Sequence, residues 1–139
     1  MKQALDELGW RTPGRGLTEI TRDISGWCAR QEIAEGLLHL FIRHTSASLV
    51  IQENADPDVL HDLNRFFDRL APNDTSLYRH VAEGPDDMPA HIRSALTQTS
   101  LAIPVRNRRP MLGTWQGIYL FEHRARPHDR KVALHLMGE

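Results

Sequence analysis

The chain has 139 residues, of which 40% are hydrophobic and 25% charged, with 17 basic and 18 acidic side chains and a formal net charge of −1. Such a chain can bury a core unaided, and its composition excludes a disordered or fibrous protein. The charge balance supplies no global field for nucleic acid or an anionic membrane, and a lone cysteine excludes an intramolecular disulfide.

The first ten residues mix Lys2, Asp6 and Glu7 with Leu5 and Leu8, so they lack the apolar centre of a signal peptide. Leu37 to Ile42 is apolar but interrupted by His39 and too short to cross a bilayer. A cytoplasmic protein with neither membrane nor nucleic-acid partners is expected. With no repeat or linker to divide it, residues 1–139 are read as a single domain.

In chain order, residues 2–8 and 17–21 read as short strands around the turn-like Thr12-Pro13-Gly14-Arg15-Gly16, although Ala4 to Leu8 suits a helix equally. A helix follows from about Asp23 to Ile33, with Cys28 a small core residue beside Ile24 and Trp27. Leu37 to Thr45 and Ala47 to Glu53 read as strands, and the parity of Leu38, Leu40 and Ile42 points His44 inward. Asp56-Pro57 opens the clearest helix, with Asp56 as its cap and an apolar stripe of Leu60, Leu63, Phe66, Phe67 and Leu70 ending near Pro72.

A polar loop from Asn73 to Gly84 leads to a helix capped by Asp86 or Asp87, whose apolar residues are Met88, Ile92, Ala95 and Leu96. Strands then run approximately over Leu101–Arg106, Gly117–Arg124 and Arg130–Met137. Strands and helices are grouped rather than alternating. The expected fold is therefore α+β, with layered, largely antiparallel or mixed sheets in a sandwich-like arrangement and a few flanking helices. No glycine-rich phosphate loop is present.

Chemistry gathers around four of the eight histidines. His44 ends a strand, His80 and His91 bracket Glu83-Gly84-Pro85-Asp86-Asp87, and His123 follows Glu122 near another strand end. Imidazole with carboxylate is a ligand set for zinc and similar ions. Taken singly, each histidine reads as a solvated or hydrogen-bonded residue rather than a ligand, and Asp86-Asp87 also reads as an ordinary helix start. Asn54 and Asp56 stand at a helix entrance where phosphate is also favoured, although Asp56 is first a cap. Trp115 and Gln116, between Gly113 and Gly117, either plug the core or present a stacking face and a polar edge to a flat heterocycle. Arg124, beside Glu122 and His123, has the planar fork that suits phosphate. Ser46 and Ser48 near His44 lack the G-x-S-x-G elbow of a serine hydrolase.

The segments His44-Thr45-Ser46-Ala47-Ser48, Glu53-Asn54-Ala55-Asp56-Pro57, Glu83 through Ile92, and Gly113-Thr114-Trp115-Gln116-Gly117-Ile118 with Glu122-His123-Arg124 together resemble the YjbQ family. The likeness extends over nearly the whole chain and is faintest in residues 1–35. Thr97-Gln98-Thr99-Ser100 departs from the expected Gly-x-Ser turn. The resemblance implies a homotrimer with the histidine cluster near subunit contacts. It further implies secondary thiamine-phosphate synthase activity, in which hydroxymethylpyrimidine diphosphate joins a thiazole phosphate and pyrophosphate leaves.

On that reading His44, His80, His91, His123 and Glu83 are the catalytic candidates. His80, His91, His123, Asp86 and Asp87 would hold a divalent metal, zinc or magnesium, and Trp115, Gln116, Arg124, Asn54 and Asp56 would bind a phosphorylated small molecule. The competing expectations are a metal-dependent phosphoester hydrolase and a non-enzymatic trimeric protein that binds a metal or ligand.

Overall fold

The computed structural model describes residues 1–139. Alternating apolar side chains make the larger of two antiparallel sheets. It is built from β1 (Lys2–Arg11), β3 (Gly36–Ile42), β5 (Ser100–Arg106), β6 (Arg109–Pro110) and β8 (Asp129–Gly138), in the order β1-β8-β3-β5-β6. Leu38, Leu40 and Ile42, then Leu101, Ile103 and Val105, then Val132, Leu134 and Leu136 project every second residue into one core. The smaller sheet, in the order β2-β7-β4, consists of β2 (Gly16–Glu19), β4 (Ala47–Glu53) and β7 (Gln116–Glu122). It closes the core with Ala47, Leu49, Ile118 and Leu120, joined by Ile24, Trp27 and Cys28 of helix α1 (Thr21–Ala29). This is the α+β, layered antiparallel arrangement expected. No helix is long and apolar enough to cross a membrane.

The other face of β7 is covered by helix. Phe121 meets Phe67 of α2 (Pro57–Leu70) edge to face at 5.5 Å between ring centres. Asp56 caps α2 as expected, its carboxylate accepting from the Asp58 amide. Yet α2 has no buried residue, and Phe66 and Leu70 on its apolar stripe remain about half exposed at 49% and 48%.

Several expectations are corrected. Helix α1 ends at Ala29 rather than Ile33, because Arg30 and Gln31 bond back three residues to Trp27 and Cys28 and tighten the last turn. Ile33 reaches the core from outside the helix. β3 stops at Ile42, so His44 follows no strand parity: it is half-buried beyond the strand end, with Nε2 accepting the Lys131 amide at 2.8 Å. Helix α3 (Asp87–Leu96) buries Asp87, Pro89, Ala90, Arg93 and Ser94, and leaves Leu96 exposed. Its inner face is thus largely the polar one. A hairpin turn at Asn107-Arg108, with φ of 52° and 60°, joins β5 to the unforeseen β6.

Cys28 is buried, and burial pushes its thiol up to about 11, which fits the core role read from the sequence.

Candidate metal centre

Asp87 and His91 lie four residues apart at the start of α3, on one face of the helix. The preceding loop brings in His80 and Glu83. His80 Nε2 lies 2.6 Å from Asp87 Oδ2, His91 Nε2 lies 3.0 Å from the same oxygen, and Glu83 Oε2 is 3.3 Å from His80 Nε2. One ligand atom from each of the four residues falls within 4.8 Å of all the others. Asp87 is nearly sealed, with 3% of its side chain exposed, whereas His80 and His91 open to solvent.

The ring orientation of His91 is informative. A carbonyl only accepts, so the 3.0 Å contact with Thr45 O requires Nδ1–H as donor. In the neutral ring Nε2 is then a bare lone pair aimed at a carboxylate oxygen, an arrangement that a cation between them relieves. A backbone carbonyl fixing the tautomer of a ligand histidine is the usual support of a metal site. The hydrogen bond to Asp87 raises the His80 pKa against the effect of burial. Burial pushes Asp87 up, but the hydrogen bonds with His80 and Glu83 and the charge of Arg124 outweigh it and hold the carboxyl below its ordinary value.

Arg124, just past β7, braces this loop. Its Nε donates to Asp86 Oδ2 at 3.0 Å, Nη1 pairs with Asp87 Oδ1 at 2.9 Å, and Nη2 donates to the Glu83 carbonyl at 3.0 Å. Asp86 also accepts the Ala125 amide, so its carboxylate serves this brace and makes no cap bond to α3.

His123 lies outside the group. It is fully buried, its Nε2 sits 2.8 Å from Ser48 Oγ, and Thr97 Oγ1 donates to that hydroxyl at 2.6 Å. Burial, with Arg93 nearby, lowers its pKa to about 3, so it is neutral. Its Nδ1 has no partner, nor do Nε and Nη1 of buried Arg93. Below it, Glu122 is bonded by Thr12, Arg130 and the amides of His123 and Arg124, and Arg130 also reaches Ser46. Ser46 and Ser48 are thereby absorbed into interior polar bonding. Arg93, Thr97 and Arg130 are not among the site candidates read from the sequence. The polar spacing Asp87, Arg93-Ser94, Thr97 along α3 is the signal that could have found two of them.

The remaining candidates sit elsewhere. β4 and β7 pair with Ala47 opposite Glu122 and Glu53 opposite Gln116, so Asn54, Asp56, Trp115 and Gln116 lie at the far end of the small sheet. Six strand steps separate the ends, roughly 20 Å. There the Asn54 amide donates to the Trp115 carbonyl at 3.0 Å, and Gln116 Oε1 accepts the Gly113 amide at 2.8 Å. Trp115 plugs no core, being 62% exposed. His44, by contrast, shares a shallow cavity of about 250 Å³ with His91, Thr45 and Thr99. Burial lowers its pKa, with Arg130 adding to the effect.

Comparison with known proteins gives consistent matches. The family pattern described as UPF0047 protein YjbQ-like matches residues 7–139. UPF0047 protein sll1880 of Synechocystis is 56% identical over 128 residues, covering 92% of this chain and 87% of its own. UPF0047 protein YjbQ of Escherichia coli is 48% identical over 126 residues, covering 90% and 91%. A conserved hypothetical protein of Thermus thermophilus superposes with a TM-score of 0.85 at 35% identity, covering 95% of this chain and 99% of its own.

Proposed function

The chain belongs to the UPF0047 YjbQ-like family, and from that premise we propose that it is a divalent-metal-dependent transferase of the thiamine-phosphate synthase type. It would join hydroxymethylpyrimidine diphosphate to a thiazole phosphate and release pyrophosphate. The observation that carries this reading is the convergence of His80, Glu83, Asp87 and His91, with the His91 tautomer set by Thr45 O. Two imidazoles with two carboxylates suit zinc or another first-row ion better than magnesium, which prefers oxygen donors throughout. A divalent ion held there supplies positive charge against the charge that develops on departing pyrophosphate.

The chain's own groups do the rest. Arg124 fixes the Glu83–Asp87 loop, so the donor atoms need little rearrangement on loading. Glu83, with 66% of its side chain exposed, stands at the rim where a substrate arrives. His44, beside His91, accepts the Lys131 amide at Nε2, so its neutral ring carries the proton on Nδ1 and offers that N–H as a hydrogen-bond donor to a substrate oxygen.

The reading includes assembly as a homotrimer. The half-exposed stripe of α2, together with Leu77 at 61% and Val81 at 45% exposed, is apolar surface of the kind that association covers. Assembly would give the distant Trp115, Gln116, Asn54 and Asp56 a route to another subunit's metal centre. Light scattering should return three times the 15.9 kDa chain mass.

Two measurements test the function. Elemental analysis should find stoichiometric metal in the wild type and its loss in His91→Ala. With both phosphorylated substrates, pyrophosphate release should require the thiazole phosphate; release of inorganic phosphate without it would instead indicate the hydrolase.

A further inference from the structure

The sequence reading assigns phosphate to Arg124, but all three of that guanidinium's nitrogens are engaged, with Asp86, Asp87 and the Glu83 carbonyl. Two carboxylates neutralise its charge and three of its five N–H donors are spent inside the protein, which leaves it a weak claim on an incoming anion. Directly outside it lies a polar cavity of about 380 Å³ bounded by Glu83, Asp86, Arg124, Arg126 and His128. Glu83 belongs to the metal-binding group, so the cavity adjoins the candidate metal centre.

Arg126 is the cation of this cavity that nothing neutralises. It is exposed, and the ion pairs of this stretch belong to Arg124 and Arg130. The segment that carries it is nevertheless fixed on both sides. The Ala125 amide donates to Asp86 at 2.9 Å, while the Thr12 amide donates to the His128 carbonyl at 2.8 Å and the His128 amide to Thr12 Oγ1 at 3.0 Å. His128 Nδ1–H donates back to the Arg126 carbonyl at 2.8 Å, which closes the turn and leaves Nε2 without a proton in the neutral ring.

Two glycines keep this construction open. A Cβ on Gly14, where φ is +119°, would stand 2.7 Å from the Ala125 carbonyl oxygen, and one on Gly84, where φ is +105°, would lie 3.1 Å from Asp86 Oδ1. The Gly84 wall is therefore bare backbone.

We infer that Arg126 is the anion-binding residue of this site and takes the outer phosphate of a diphosphate-bearing substrate whose inner oxygens face the metal group. The inference rests on the function proposed above and moves phosphate recognition from Arg124 to the exposed guanidinium two residues further on. A guanidinium on an anchored turn, free of carboxylates and facing a polar cavity, matches phosphate oxygens two at a time.

The test is calorimetric titration of inorganic pyrophosphate into zinc-treated wild type, Arg126→Met and Arg126→Lys, with zinc content and Tm read on the same samples. Affinity should fall about ten- to a hundredfold in Arg126→Met, the size expected for a lost charge-assisted hydrogen bond, with partial recovery in Arg126→Lys and unchanged zinc and Tm. Equal affinity in all three proteins, or no binding by the wild type, overturns the assignment. Zinc content separates this from failure of the metal reading. A protein that binds pyrophosphate through Arg126 without holding zinc keeps the anion site and loses the metal centre. One that holds zinc and binds pyrophosphate independently of Arg126 does the reverse.

Discussion

Glu122 and Asp87 are both carboxylates with essentially no exposure, 0% and 2%, and each is bonded to an arginine. The remaining partners differ. Those of Glu122 are a threonine hydroxyl and two backbone amides, all internal, so its charge is saturated by groups that neither titrate near neutrality nor lead outward. Those of Asp87 are two imidazoles whose side chains are 41% and 32% exposed. A buried charge closed on all sides secures the architecture, whereas one whose partners open to solvent can exchange a proton or a cation.

The comparison breaks most visibly at Arg130. Arg130→Met leaves Glu122 buried and unpaired, and urea denaturation should show a loss of about 3–5 kcal/mol. A loss below about 1 kcal/mol would mean that Glu122 is not the closed charge described.

The next effect is a pH dependence. The ordinary imidazole value is 6.5, and His123 in the folded protein is lowered to about 3. The unfolded chain therefore binds a proton that the folded one refuses. This contribution to stability is complete above 6.5 and is lost as pH falls through the window down to about 3, by at most about 1.4 kcal/mol per pH unit. His123→Gln should flatten the upper part of that window. An unchanged slope would place the acid sensitivity elsewhere.

At the open carboxylate the larger effect falls on the bound ion rather than on stability. His91→Ala removes an exposed partner, so stability should fall by only about 1 kcal/mol while bound metal disappears. Metal retained at wild-type stoichiometry would remove the chemical half of the comparison. Smallest of all, Trp115→Ala should stay within about 0.5 kcal/mol of wild type in denaturation and leave metal content unchanged, because it lies at the other end of the small sheet.

Much of the scaffold was legible because one face of each element decides it. Period-two burial gave β3, β5 and β8 approximately, and Asp56-Pro57 marked the start of α2 within a residue. Helix α3 was harder to orient because Met88, Ile92, Ala95 and Leu96 are not buried; Asp87, Arg93 and Ser94 are, beside Pro89 and Ala90, and hydrogen bonds count there as well as burial of carbon.

His80, Glu83, Asp87 and His91 could be gathered from sequence because all four lie within twelve residues, across one loop and one helical turn. His123 could not be separated from them, since its burial depends on what covers the end of β7. Nor could Trp115 be placed, because the register that pairs Gln116 with Glu53 sends it to the opposite end, and register is a property of two strands rather than of one.

The strand order of the large sheet governs how the chain must fold. β8, the last strand in chain order, lies between β1 and β3, and β1 has no other partner in the sheet. As the polypeptide leaves the ribosome, β1 waits as an unpaired edge, and the sheet cannot close until Asp129–Gly138 emerges. Closure is therefore a late, long-range event, and a nascent chain stalled before Asp129 would expose both flanking edges to aggregation or to a chaperone.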